Sequence, residues 1–171
     1  GQAAVAVDGS GRSHIAGIVN DRLVYYRTRF GEPIVSFTFT MSGSGTNWMQ
    51  YAPDIAVMNN GTAYIVWKER RGGPETFVCW RSVPLIPPPE GYTKYCNPMD
   101  GTTQAAGLAR VATNGAVVYA VYDRLYTDDG HGRIYSIRYK ELTNTSNTGD
   151  VYWYIDKFET GYIYSMDMQV D

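Results

Sequence analysis

Short apolar segments alternate with turn residues along the whole chain. Residues 23–27, 76–81 and 134–140 place apolar and polar side chains in alternation, which is typical of half-buried strands. Turn residues stand between such segments, as in Gly9-Ser10-Gly11 and Asn59-Asn60-Gly61, and supply the positive φ angles that tight hairpins need. The pattern predicts an all-β protein built from antiparallel hairpins.

The pattern repeats. Residues 4–16 align without a gap on residues 54–66, a third copy with a shorter turn occupies residues 110–122, and a fourth begins at residue 168. Each copy starts with a short strand rich in small residues, followed by a Gly-containing turn, a second strand and an alternating third strand. An outer fourth strand is expected at residues 34–40, 92–97 and 151–155.

Four antiparallel strands in a repeat of about 50 residues are typical of a propeller blade. We therefore predict a β-propeller of four-stranded antiparallel blades, with about three blades and the start of a fourth. The predicted division is residues 1–52, residues 53–107 with a proline-rich loop at 83–91, residues 108–167, and residues 168–171. A closed ring needs four to eight blades, so we expect an incomplete ring.

The open edges of such a ring would expose unpaired backbone groups. We expect them to be paired by further blades of the same polypeptide, by another copy of the chain or by a partner protein.

Two runs, residues 8–16 and 53–67, resemble blades of the sialidase-like β-propeller group, which includes secreted and surface-displayed bacterial repeat proteins and some sugar-binding propellers. The resemblance implies the propeller fold. Two features of sialidase enzymes are missing, because the chain contains no full Ser-x-Asp-x-Gly-x-x-Trp turn and no Arg-Ile-Pro segment. The resemblance therefore implies the fold more than the enzymatic activity.

The composition agrees with a β fold, because the chain contains 15 Val, 10 Ile and 15 Thr, which favour strands, but only 5 Leu and 4 Lys, which favour helices. The formal net charge of −2 gives no positive field for nucleic acid. No apolar run approaches the roughly 20 residues of a membrane span.

The two cysteines, Cys79 and Cys96, flank the proline-rich loop and are predicted to form a disulfide. Two Asn-x-Ser/Thr sequons, at Asn60 and Asn144, could carry glycans only on a secretory route. Both features favour a secreted or cell-surface protein.

Candidate chemistry is sparse. His14 and His131 have no partners at zinc-ligand spacing, and His14 is expected to pack as a strand residue. Asp128 and Asp129 form a weak calcium candidate in a hairpin loop, and no other cofactor is expected. Paired carboxylates for glycoside hydrolysis would come from Asp8, Asp54, Glu69, Asp123 and Asp156, without an assignment.

Exposed aromatic residues stack on sugars and anchor protein interfaces. Trp48 and Tyr51, in the Gly- and Ser-rich segment 42–52, are the predicted ligand-binding residues. The sequence thus favours a non-enzymatic propeller module that binds a glycan or a protein, or that serves structural assembly. The alternative is part of a sialidase-like glycoside hydrolase or lyase whose catalytic residues lie partly outside this chain.

Overall fold

The computed structural model describes residues 2–39, 48–72, 76–86, 97–98, 109–128, 132–143, 153–158 and 167–169. All regular secondary structure in these residues is β-strand, as predicted. The strands are β1 (Ala3–Val7), β2 (Ser13–Val19), β3 (Arg22–Thr28), β4 (Val35–Thr38), β5 (Trp48–Val57), β6 (Ala63–Arg71), β7 (Thr76–Val83), β8 (Asn97–Pro98), β9 (Ala109–Thr113), β10 (Val118–Asp128), β11 (Gly132–Glu141) and β12 (Trp153–Phe158).

The strands form three antiparallel sheets in chain order. The first sheet holds β1 to β4, the second β5 to β8, and the third β9 to β12, and in each sheet every strand pairs with its neighbour in sequence. The prediction of four-stranded antiparallel units is confirmed at this level. The described residues contain no closed sheet.

The register of the first hairpin repeats in all three sheets. Val5 pairs with Ile15 in the first sheet and Ile55 pairs with Ile65 in the second, so the offset of 50 residues is kept in both strands. In the third sheet Val111 pairs with Ala120, with a turn that is one residue shorter. Each turn contains a glycine with positive φ, of 82°, 79° and 92° at positions 11, 61 and 115.

The sheets pack face to face in chain order. Strand β5 of the second sheet contacts β1 of the first and β9 of the third, so the first strands of consecutive sheets are neighbours. One apolar cluster joins the first sheet to the second and contains Leu23, Tyr25, Ile65 and Trp67. A separate cluster, which includes Val66 and Val111, joins the second sheet to the third. The protein core is therefore divided between two interfaces.

Strand β5 is longer than predicted. It begins at Trp48, so the predicted boundary between residues 52 and 53 falls inside a strand. Its pairing with β6 shifts between Tyr51 and Asp54, and Ala52 there has a φ of 50°. Such a bulge breaks the period of two. For that reason the sequence pattern placed residues 48–52 in a separate segment.

The outer strands lie close to their predicted positions. Strand β4 falls within the predicted range 34–40, β8 lies at the end of the range 92–97, and β12 begins two residues after the predicted start at 151. At the predicted start of a further blade, Met168 and Gln169 belong to no strand. Residues 170–171 and most of the proline-rich loop lie outside the described residues.

Candidate functional site

Four charged side chains occupy two pairs of equivalent positions in the second and third sheets. Asp54 on β5 and Arg110 on β9 are equivalent, because they directly precede Ile55 and Val111, the matching residues of the repeat. Lys68 on β6 and Asp123 on β10 are also equivalent, because each lies three positions after the residue that pairs with Ile55 or Val111. We call these four residues the charged cluster. Lys68 and Asp123 are only 8% and 2% exposed, so charge is buried here.

Asp54 links the first strands of the second and third sheets. Its Oδ2 accepts a hydrogen bond of 2.9 Å from the backbone N–H of Val111 on β9. Burial raises the pKa of Asp54 despite this hydrogen bond, one from the backbone N–H of Ile55 and the charge of Arg110. The nearby carboxylate of Asp167 raises it further. The carboxyl group therefore holds its proton more readily than an exposed aspartic acid.

Lys68 lies over the ring of Tyr51, with its Nζ 5.5 Å from the ring centroid. Burial lowers the pKa of Lys68, and Arg110 lowers it further, whereas the carboxylate of Asp123 opposes the shift. The charged cluster thus contains a carboxyl group that resists ionisation and an amine that resists protonation. Such groups can donate and accept protons, or recognise polar groups of a ligand.

The charged cluster contrasts with a buried polar network in the first sheet. His14 lies fully buried between Tyr25 and Asp8, with its Nδ1 2.8 Å from the Tyr25 hydroxyl and its Nε2 3.3 Å from Asp8 Oδ2. Burial lowers the pKa of His14 although Asp8 opposes the shift. In the neutral ring, Nδ1 accepts from Tyr25 and Nε2 donates to Asp8, so both nitrogens are satisfied.

Asp8 organises the first β-turn. Its Oδ1 accepts hydrogen bonds of 2.9 Å from the backbone N–H groups of Ser10 and Arg12 and one of 2.6 Å from the Ser10 hydroxyl. Burial opposes ionisation, but these hydrogen bonds and that of His14 outweigh it and hold the pKa of Asp8 well below its usual range. Asp8 and His14 are therefore structural, as expected of His14.

Glu69, another predicted carboxylate candidate, accepts hydrogen bonds in a second buried network. Gln50 Nε2 donates to Glu69 Oε2 at 3.1 Å, and Arg71 Nε donates to Glu69 Oε1 at 2.8 Å. Gln50 Oε1 in turn accepts from the backbone N–H of Leu23 at 2.7 Å, which ties the second sheet to the first. Glu69 is fully buried. This network joins two sheets and leaves Glu69 no solvent-facing oxygen.

The predicted ligand-binding residues belong to strand β5 rather than to a loop. Trp48 pairs with Arg71, and Tyr51 pairs with Lys68. Tyr51 is half-buried, and its hydroxyl lies 3.2 Å from Thr76 Oγ1. Tyr51 therefore borders the charged cluster, a proximity that the sequence pattern did not suggest.

The other predicted site residues are dispersed. Cys79, on β7, is disulfide-bonded; Cys96, the only other cysteine of the chain, lies outside the described residues. Asn60 is exposed in the turn between β5 and β6. Asp128 ends β10, and Asp156 lies in β12. The remaining candidates, Asn144, Asp129 and His131, lie outside the described residues.

Sequence reasoning missed Lys68, Arg110 and Gln50. A signal for Lys68 was present, since it is one of four lysines and directly follows the apolar run Tyr64 to Trp67. Arg110 and Gln50 carried no comparable signal, because their burial depends on which sheets pack together.

No group of three metal-binding side chains occurs among the described residues. The same residues include no helix of the length and hydrophobicity needed to cross a bilayer. The chain matches no family model, no curated protein and no solved structure.

Proposed function

We propose that the chain is a β-propeller module of an extracellular or cell-surface protein, which binds a glycan or a protein, or serves structural assembly, without catalysis. The observation that carries this proposal is the threefold repeat of one hairpin register, with the first strands of consecutive sheets in contact. Propeller blades are arranged in this way, with their first strands nearest the central axis.

Two features support the location. Cys79 is disulfide-bonded, and disulfides persist in oxidising compartments such as the cell exterior. Asn60 is exposed in a turn, where a sequon is accessible to glycosylation.

The binding surface that we propose runs along the start of β5, where Trp48 pairs with Arg71 and Tyr51 pairs with Lys68. A strand that combines aromatic residues with paired charged residues suits a sugar, which has apolar faces and polar edges. Tyr51 contacts both the charged cluster and β7. A glycan bound here would therefore lie near the interface between the second and third sheets.

A glycan array probed with the purified chain tests this proposal, followed by titration calorimetry on the glycans that bind. We expect Trp48→Ala to weaken glycan binding by about two- to twelvefold, since one aromatic stacking contact contributes about 0.5–1.5 kcal/mol. Phe30→Ala is the matched control, because it removes a fully exposed aromatic ring from the turn between β3 and β4. Equal effects of the two variants, or an array without glycan signal, would count against this binding surface.

One observation favours the alternative, a part of a sialidase-like hydrolase. Asp54 has a raised pKa, as a general acid requires, and a second carboxylate, Asp123, belongs to the same charged cluster. A panel of fluorogenic glycosides decides between the two functions. Our proposal expects no turnover; hydrolysis that Asp54→Asn abolishes and that Asp21→Asn, at an exposed turn residue, leaves intact would establish the enzyme.

A further inference from the structure

Two chain connections project apolar side chains at the same end of the first two sheets. Phe30 and Ile34, in the connection between β3 and β4, are 104% and 68% exposed, and Ile86, shortly after β7, is 80% exposed. Arg27 joins the two connections, because its Nη1 donates a hydrogen bond to the backbone carbonyl of Leu85. We call Phe30, Ile34 and Ile86 the apolar tips.

The strand registers and one backbone contact fix this common orientation. Thr28 at the end of β3 pairs with Ser13, and Val83 at the end of β7 pairs with Ala63, so each connection starts beside the first turn of its own sheet. At the other end, a backbone hydrogen bond of 2.8 Å joins Gln50 on β5 to the β2–β3 turn. The start of β5, where we propose ligand binding, therefore lies at the end opposite to the apolar tips.

Arginine side chains lie beside the apolar tips. Arg29 directly precedes Phe30 and is 45% exposed, and Arg12 is partly exposed. Glu32 pairs with both arginines and is also partly exposed. The other carboxylate in the described turns at this end of the two sheets, that of Asp8, is only 3% exposed. Cationic groups thus outnumber accessible carboxylates here, although the net charge of the chain is −2.

This combination fits the surface of a lipid bilayer better than a protein partner. The three side chains together expose far less than the roughly 800 Å² that each partner contributes to a standard protein interface. They also project from separate connections, so a rigid partner would need a matching pocket for each, whereas fluid acyl chains adapt to them. Exposed apolar side chains with neighbouring arginines are attracted to anionic headgroups and to the acyl boundary beneath them.

We propose that the apolar tips insert into the interfacial region of an anionic phospholipid bilayer, with Arg12 and Arg29 at the level of the lipid headgroups. This inference goes beyond the proposed function. It orients the chain so that the start of β5 points away from the bilayer and stays accessible to a ligand.

Co-sedimentation of the full chain with phosphatidylcholine vesicles, with and without phosphatidylglycerol, tests this inference. We expect binding to the vesicles that contain phosphatidylglycerol, and we expect Phe30→Ser to weaken it by about tenfold or more, because the exposed ring loses its contact with the acyl chains. Ile86→Ser should act in the same direction, and Arg29→Gln should weaken binding by about fivefold. Val19→Ser is the matched control: it removes an aliphatic side chain that is 49% exposed at the opposite end, and it should bind like the wild type.

A polarity-sensitive fluorophore shows which end meets the bilayer. Because Cys79 is disulfide-bonded, the thiol introduced by Ile34→Cys can be labelled selectively with nitrobenzoxadiazole. We expect its emission to increase and shift to shorter wavelength when phosphatidylglycerol vesicles are added, whereas the same label on Val19→Cys should not respond.

Three results would each overturn the proposal: no vesicle binding by the wild type, binding that Phe30→Ser and Ile86→Ser leave unchanged, or equal fluorescence changes at positions 19 and 34. Self-association that Phe30→Ser abolishes, without any vesicle binding, would also overturn it and would assign the apolar tips to a protein contact.

Discussion

The two interfaces between the sheets differ in the side chains that fill them. The first is filled by a continuous chain of aromatic rings, in which Tyr25, Phe37, Phe39 and Trp67 follow one another at centroid distances of 5.2, 5.3 and 5.1 Å. The second is filled mainly by valine and alanine and contains the buried ionisable side chains of Asp54 and Lys68. Apolar packing dominates one interface, and buried charge is concentrated at the other.

The two interfaces are expected to contribute differently to the stability of the fold. At the first interface, the buried polar groups of Gln50 and Glu69 have hydrogen-bond partners, and aromatic rings pack against one another in the apolar core. At the second interface, burial raises the pKa of Asp54 and lowers the pKa of Lys68, so that it favours the neutral form of each group. We therefore expect the first interface to contribute most of the free energy of unfolding and the second to add a contribution that depends on pH.

Removing the largest buried ring should have the largest effect. Trp67 is fully buried, so we expect Trp67→Ala to lower the free energy of unfolding by about 3–5 kcal/mol in urea titrations. Trp80, at the second interface, is half-buried and stacks on Tyr64 at 6.2 Å. Trp80→Ala should cost less than half as much, and equal losses would contradict the contrast between the two interfaces.

Disrupting the hydrogen-bond network around Glu69 should give the second-largest loss of stability. Glu69→Leu leaves the buried side chain of Gln50 without its acceptor, and we expect a loss of about 2–3 kcal/mol. Glu32→Leu is the control, because Glu32 forms a partly exposed ion pair with Arg12 at 2.8 Å. Such pairs contribute about 0–1 kcal/mol. If Glu32→Leu proved the more costly change, the buried network would not stabilise the first interface.

The pH dependence should have opposite signs at Asp54 and Asp8. Folding raises the pKa of Asp54, so its ionised form costs stability at neutral pH and this cost disappears as the pH falls through the raised pKa. Asp54→Asn should therefore be slightly more stable than the wild type at pH 7, and the difference should shrink toward pH 4.

Folding lowers the pKa of Asp8. Its stabilising effect is therefore present above the ordinary value of 3.8 and is lost as the pH falls through the lowered value. Asp8→Asn should be less stable than the wild type at pH 7, with a deficit that shrinks below about pH 4. Thermal unfolding from pH 2 to pH 8 measures both variants, and shifts of the same sign would show that burial does not separate the two carboxylates.

Substitution of the turn glycines should give the smallest loss of stability. Gly61→Ala introduces a Cβ atom 3.0 Å from Leu85 Cδ1, whereas Gly11→Ala introduces one into open space. Both glycines have a positive φ, so both variants should lose about 1 kcal/mol from backbone strain. Gly61→Ala should lose a few tenths of a kcal/mol more. The difference between the two, measured by urea unfolding, isolates the contact with Leu85, and no difference would mean that the side chain moves away freely.

The sequence predicted features that are local. The all-β class, the repeat and the shorter third turn follow from alternation and glycine spacing, both of which act within one hairpin. The extension of β5 to Trp48 did not follow, because a bulge near Ala52 interrupts the alternation. The charged cluster also did not follow, since Asp54 and Asp123 are distant in sequence and only sheet packing associates them.

A nuclear Overhauser map of the labelled chain shows whether the three sheets pack in chain order. We expect cross-peaks between the rings of Phe39 and Trp67, a contact that joins the first sheet to the second. We also expect cross-peaks between Asn59 and Gly115, whose backbone groups hydrogen-bond at 2.9 Å between the second and third sheets. Absence of either set, with the strands otherwise formed, would contradict the stacking of three repeated units.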